Sequence, residues 1–244
     1  MKKIVLLILI ITGLHFQSFS QNGQTHFTGG LFLGVNGTQI DGDKMAGFNK
    51  SGLAAGGYLN FMIDRYWSLQ MEFLYMRKGS RASYNIDSAT LISGNNLPDT
   101  PIWRVLRINY FEVPIMIQYN ITKRVYASAG LSFGYLVGVY REDYYSGQDN
   151  QNISFLKNTE YGANIGIGYF LTPHLTAYLR YSQSILPINQ PNTYVSYGGV
   201  TSNLTYAYLT NGLYNIVFTA GIYYNFSPKF TWPPSNNSDK MIGI

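Results

Sequence analysis

Apolar and polar residues alternate with a period of two along most of the chain between Phe27 and Phe226. The clearest stretch is Leu213–Phe226. There Tyr214, Ile216, Phe218, Ala220, Ile222, Tyr224 and Phe226 share one phase, and Asn215, Thr219, Gly221 and Asn225 share the other. Period two predicts a β-strand with one greasy flank and one small or polar flank. The same reading predicts strands at Phe27–Asn36, Gly52–Met62, Trp67–Ala82, Arg104–Ile121, Val125–Tyr140, Asn158–Leu171 and Leu175–Ile185. With Leu213–Phe226 this makes eight.

The connections between these strands alternate in length. Gly37–Lys50, Ser83–Trp103, Arg141–Lys157 and Leu186–Thr210 are long. Ile63-Asp64-Arg65-Tyr66, Thr122-Lys123-Arg124 and Thr172-Pro173-His174 are short. Short turns at one end and long loops at the other belong to an up-and-down membrane barrel, which predicts an all-β, eight-stranded antiparallel transmembrane β-barrel. An even strand number puts both termini at the short-turn, periplasmic side. Eight of the nine prolines fall in turns, loops or the tail. Pro114 lies inside a strand, where its missing N–H must break a rung or mark a bulge.

A soluble barrel has a greasy lumen and a wet outside, and a membrane barrel is the reverse. The polar flanks carry Gly30, Gly34, Gly56, Gly130, Gly134, Gly162, Gly166 and Gly168, with Asn60, Gln70, Glu72, Glu112, Gln118, Asn164 and Arg180. This set is small or hydrogen-bonding and almost free of Lys. It suits a cramped interior better than a solvated surface. Composition agrees: charged residues are 12% and aromatics 16%, with 22 Tyr. Trp67 to Tyr75 is eight steps, about 26 Å of strand, which after a tilt of about 40° is close to the roughly 25 Å apolar band of such barrels. Aromatics cluster at both ends of the band, with Tyr66, Trp67, Tyr119, Tyr169, Tyr224 and Phe226 on the periplasmic side and Tyr75, Trp103, Tyr140, Tyr181 and Tyr214 on the other.

Residues 1–20 read as a secretory leader. Lys2 and Lys3 precede the apolar run Ile4–Leu14, and Ser18-Phe19-Ser20 sets cleavage between Ser20 and Gln21. The run is about 11 residues, too short for a spanning helix of about 20. Loss of Lys2 and Lys3 takes Lys+Arg from 17 to 15 against 12 acidic residues. So mild a balance does not point to nucleic acid. Residues 21–226 then form the barrel, and residues 227–244 form a Pro- and Asn-rich periplasmic tail.

Two resemblances follow from these residues. Thr219, Gly221, Tyr224 and Phe226 resemble the signal by which the barrel assembly machinery recognises the last strand of its substrates. The mature chain to about Phe226 resembles the PorT-like outer-membrane β-barrel family of Bacteroidetes. The features are Gly34-Val35-Asn36, Gly52-Leu53-Ala54-Ala55-Gly56, Leu69-Gln70-Met71-Glu72, Lys78-Gly79 and Tyr110-Phe111-Glu112-Val113-Pro114. This resemblance implies that Tyr-x-Glu-x-Pro sits within a strand. The family's namesake is linked to type IX secretion, a role that fold alone does not transfer.

Candidate chemistry is sparse. Glu72, Glu112, Gln118 and Arg180 are expected to form an interior polar network, since buried charges are paired. Arg77, Arg81 and Arg107 fall in the outward phase just above the apolar band, where guanidinium geometry suits lipopolysaccharide phosphates. Past the leader only His26 and His174 remain, and no Cys occurs anywhere. No catalytic set, metal site or cofactor is implied. The expected partners are outer-membrane lipid and lipopolysaccharide, the assembly machinery and other envelope proteins. The expected role is structural or interactive, as a subunit of an envelope or secretion assembly. The alternative is a narrow pore or a small-ligand or lipid-binding barrel.

Overall fold

The computed structural model describes residues 27–43, 47–81, 105–142, 155–190, 194–197, 205–208 and 212–227. The expected leader and its Ser20/Gln21 boundary, His26, the loop Ser83–Trp103 and the tail beyond Ser227 lie outside the described residues. The strands are β1 (Phe27–Asp41), β2 (Lys50–Met62), β3 (Trp67–Arg81), β4 (Val105–Asn120), β5 (Val125–Glu142), β6 (Thr159–Phe170), β7 (Leu175–Ser184), β8 (Tyr194–Tyr197), β9 (Thr205–Tyr208) and β10 (Tyr214–Asn225). Eight of them close into an antiparallel barrel in the order β1-β10-β7-β6-β5-β4-β3-β2. The ring is sealed by β1 on β10, in register from Gly30 opposite Asn225 to Asp41 opposite Tyr214. Closure leaves no edge strand in the barrel sheet, which a barrel in hydrocarbon requires.

Each short turn is built the same way. Ile63 and Asp64 N–H donate to the Trp67 carbonyl, Ile121 and Thr122 to Val125, and Leu171 and Thr172 to Leu175, at 2.9–3.2 Å. In each, one side-chain oxygen accepts two backbone N–H groups. Asp64 takes those of Tyr66 and Trp67 (2.6 and 2.8 Å). Thr122 takes those of Arg124 and Val125 (3.2 and 3.0 Å). Thr172 takes those of His174 and Leu175 (3.3 and 3.0 Å). These residue types are favoured in turns because they hydrogen-bond the backbone two or three residues on.

The long-loop end departs from the expectation. β1 runs on to Asp41 and β2 starts at Lys50, so the connection expected from Gly37 is shorter and its first five residues are strand. Thr38 explains the extension, since its hydroxyl donates to the carbonyls of Gly79 (2.8 Å) and Lys50 (3.2 Å). The expected loop Leu186–Thr210 holds the separate hairpin β8–β9. Pro114 breaks a rung on one side, as anticipated. The β3–β4 ladder pairs Met71 with Ile115 and Leu74 with Glu112 but skips the positions between, while Pro114 stays opposite Ser132 of β5. The bulge lies elsewhere, between Asn109 and Tyr110, where the β4–β5 register shifts by one.

The barrel is inside-out. Leu31, Leu33, Val35, Ile115, Ile117, Leu131, Ile165, Leu179 and Phe218 are exposed on the wall, while Asn60, Gln70, Glu72, Glu112, Gln118, Asn164, Arg180 and Thr219 are buried in the lumen. An apolar outside around a buried polar inside stands stably only with lipid around it.

Candidate functional site

Among the described residues, most of the buried charge is gathered in the lumen. Alternation aims every second side chain of each strand into it, and eight strands enclose only enough room for side chains to fill. From the short-turn end upward it is filled in layers.

The first layer is a knot of carboxamides. Asn60 donates to Gln118 Oε1 (3.0 Å), to Gln70 Oε1 and to Ser68 Oγ (both 3.3 Å). Gln118 in turn donates to Gln70 Oε1 at 2.8 Å. Gln70 passes the chain upward by donating to Glu72 Oε1 at 2.8 Å.

The second layer is a cross-brace. Arg180 Nη2 lies 2.6 and 2.7 Å from the two oxygens of Glu72. It also donates to the Tyr223 hydroxyl (2.9 Å), which donates to Glu72 Oε1 (2.7 Å). Glu72 is on β3 and Arg180 on β7, four places apart in either direction around the ring, so this pair ties opposite walls. A cage of rings surrounds it. Tyr223 meets Tyr58 and Tyr178 edge-on at 5.0 and 5.1 Å between centroids, and the Arg180 guanidinium lies 5.1 Å from the Tyr178 ring. Tyr58 also hydrogen-bonds Asn225.

The third layer holds Lys78 between two acids. Its Nζ is 2.7 Å from Glu112 and 3.1 Å from Glu160. The Ser184 hydroxyl donates to Glu160 at 2.6 Å. The fourth layer is apolar. Ile40, Leu106 and Ile108 from the strands join Leu156, Ile188 and Leu213 from the connections, all buried in one cluster. Ile188 N–H donates to the Leu213 carbonyl at 2.8 Å, and Lys157 N–H to the Ile188 carbonyl at 2.7 Å, so the connections are pinned over the mouth.

The expected interior network therefore splits. Glu72 and Arg180 pair, and Gln118 joins them through Gln70. Glu112 does not pair with Arg180 and faces Lys78 instead, because it sits level with Leu74, above Glu72. Sequence reasoning missed Lys78, Glu160 and Tyr223 as members. Their signal was present: each falls in the inward phase of its strand, at even numbers in β3 and β6 and odd numbers in β10. It also missed the apolar cap, since Leu74, Met76, Leu106 and Ile108 occupy inward positions where the lower lumen has polar ones.

The outward candidates are placed as follows. Arg77, Arg81 and Arg107 are exposed on adjacent strands, with Arg107 opposite Gly79 and so between the two others. The Arg107 guanidinium lies 4.8 Å from the Tyr140 ring. Thr219 and Gly221 point inward and Tyr224 and Phe226 outward. Thr219 donates to Asn36 Oδ1 at 2.8 Å. Gly221 lies opposite Gly34, and the Phe32 ring covers both; a Cβ at Gly221 would come within 2.6 Å of it. Trp67 and Tyr119 pack at 4.7 Å between centroids in the short-turn aromatic belt.

A family model described as outer membrane protein beta-barrel domain matches residues 17–190. The chain belongs to this family. It is an outer-membrane β-barrel protein and resides in the outer membrane. No curated protein matches it. Among solved structures it is similar to Ail, the attachment invasion locus protein of Yersinia pestis, at 15% identity and a TM-score of 0.44 over 83% of this chain and 100% of that one. It is similar to Neisserial surface protein A at 12% identity and a TM-score of 0.42, over 84% of this chain and 100% of that one. For the outer membrane protein OprG from Pseudomonas aeruginosa the values are 14% and 0.38, over 82% and 94%.

Proposed function

We propose that this barrel is a structural and interaction protein, a closed post in the outer membrane that serves as a subunit of an envelope or secretion assembly. The observation that carries this reading is the filled lumen. Buried side chains line the lumen from the carboxamide knot to the apolar cap, and the Glu72–Arg180 pair ties opposite walls across it. Such a barrel offers its rims and loops to partners rather than its centre to solutes. The resemblance to PorT-like proteins supports the same reading.

The outward cations support a lipid contact. Arg77, Arg81 and Arg107 lie on neighbouring strands above the apolar belt, spaced to engage phosphate oxygens with paired N–H groups. Replacement of all three with Gln is expected to lower the lipopolysaccharide that co-purifies with the barrel; unchanged lipid content removes this contact from the reading.

Two measurements test the main proposal. Extraction of the native protein in mild detergent is expected to give a particle well above the 27.5 kDa of the chain plus its micelle, with reproducible companions. Planar bilayers are expected to show no conductance steps. A lone barrel that conducts would overturn the proposal in favour of a narrow pore.

A further inference from the structure

Lys50 carries a buried charge that the luminal network does not use. It opens β2 and is 7% exposed, yet its ammonium makes a single hydrogen bond, to the Ser51 carbonyl at 3.1 Å. Among the described residues no carboxylate pairs with it. The charges that act on it are the guanidinium groups of Arg107, Arg77 and Arg81, all of its own sign. A buried charge is costly unless an opposite charge meets it. Here the described fold brings up only like charges, which is the setting of an anion site.

The four cations surround Gly79. Arg77 and Arg81 flank it on β3, and Arg107 is opposite it on β4. All three arginines are exposed on the outer wall. Lys50 lies on the other side, because the Thr38 hydroxyl donates to the carbonyls of both Gly79 (2.8 Å) and Lys50 (3.2 Å). Gly79 has a φ of 133°, which L side chains rarely adopt, and a Cβ there would run into the Leu106 carbonyl. The centre of the group is therefore kept bare. Diagonal neighbours on adjacent strands are about 7–8 Å apart, so Arg107 and the two β3 arginines can close on one small anion. Among the described residues no carboxylate lies within ion-pair distance of any of the three. Arg107 meets the Tyr140 ring instead.

Several positive charges around one bare rung call for a compact anion of more than one charge. A phosphate monoester carries about −1.5 to −2 at neutral pH and presents three acceptor oxygens, and a phosphate diester has less of both. Guanidinium forks take paired oxygens, and a lysine ammonium serves as a point charge. We propose that Lys50, Arg77, Arg81 and Arg107 form an anion site over Gly79 that takes a phosphate monoester, with Lys50 as its buried ligand. This rests on the reading that the outward arginines meet phosphate. It adds a fourth ligand and a preference for a terminal phosphate over a bridging one.

The test offers the full folded chain equal amounts of phosphatidic acid, a monoester, and phosphatidylglycerol, a diester, in mixed micelles, and measures the lipid that stays bound after purification. The wild type is expected to retain phosphatidic acid in about tenfold excess, the worth of one charge-assisted hydrogen bond. Lys50→Met is expected to fold normally and to bring the two lipids near parity. Equal retention by the wild type overturns the proposal, and so does an excess that survives Lys50→Met. Failure of Lys50→Met to fold overturns it too, since the ammonium would then have a partner within the chain. Replacing the three arginines with Gln separates this proposal from the reading beneath it. Loss of both lipids there, with Lys50→Met like wild type, removes Lys50 from the site and leaves the arginine contact standing. Retention of both lipids by the triple variant removes the contact and the site together. Inorganic phosphate identifies the source. If it displaces phosphatidic acid from the wild type, and its phosphorus resonance broadens with the wild type but not with Lys50→Met, the site takes soluble phosphate as well. If it displaces nothing, the site is one for a lipid headgroup, and either result keeps the monoester preference.

Discussion

Replacing Arg180 with Met removes the cross-brace with little change in volume. Glu72 then keeps the hydrogen bonds from Gln70 and Tyr223 but loses its counter-ion among the described residues, whose nitrogen lies 2.6 and 2.7 Å from its oxygens. At an effective dielectric of about 20, a pair of charges about 4 Å apart is worth about 4 kcal/mol. Removing one partner of a buried pair leaves the other uncompensated, at a cost of about 3–5 kcal/mol. The two figures agree because Glu72 and Arg180 are buried almost completely, with nothing to screen them. Adding Glu72→Gln removes the stranded charge and should recover about 2–3 kcal/mol of the loss, a coupling in the range for contacting residues. The assay is urea-driven unfolding of the barrel in lipid vesicles, followed by Trp fluorescence across all four members of the cycle. A cost below about 1 kcal/mol for Arg180→Met would mean that water reaches Glu72. A double variant no more stable than the single would mean the same. Either result would refute the filled lumen.

Three further outcomes follow from the same geometry. Gly168→Ala sets a methyl group into the Tyr126 ring, which packs against Phe170 and Tyr178, and should cost about 1–3 kcal/mol in the same unfolding assay. Thr172→Ala strips the acceptor from two backbone N–H groups in an exposed turn; its cost should be about 0.5–1.5 kcal/mol, with spectra of the folded state unchanged. Tyr224→Ser with Phe226→Ser should lower the amount of folded barrel in cells while refolding of the purified chain into vesicles proceeds as before, since neither ring enters the lumen.

The wall of this barrel was legible in the sequence, and the contents of its lumen were legible only in part. Alternation fixes which side chains point inward, and the Asp64, Thr122 and Thr172 turns mark where the chain reverses. What alternation cannot give is the height at which an inward residue of one strand meets those of strands several places away, because that depends on the stagger set by closure. Glu72 and Glu112 lie on neighbouring strands, and alternation places them in one expected network with Gln118 and Arg180. The stagger instead raises Glu112 to Lys78 and brings Arg180 across the ring to Glu72. Lys78 escaped notice because it stood beside Gly79 in a family motif near an expected strand end. Local alternation also ends too soon at Gly37, where the strand continues because Thr38 bonds the carbonyl of Gly79 two strands away.

The strands also differ in length in a way that bears on partners. β5 has 18 residues and β7 has 10. At about 3.3 Å per residue and a tilt of about 40°, they rise about 45 Å and 25 Å. An apolar band of roughly 25 Å is therefore just spanned on the β7 side and overtopped by about 20 Å on the β5 side. The short turns keep one end level, so the whole excess stands at the long-loop end, where β3, β4 and β5 form a raised wall. Such a wall holds its shape only if its base cannot twist, and the base is where opposite walls are tied through Glu72–Arg180 and where β3, β4 and β6 converge on Lys78. Arg77, Arg81 and Arg107 lie on the outer face of that wall, Arg81 at the end of β3 and Arg107 near the start of β4. In the proposed interaction role, the buried ion pairs tie the strands whose long-loop ends would meet another envelope protein.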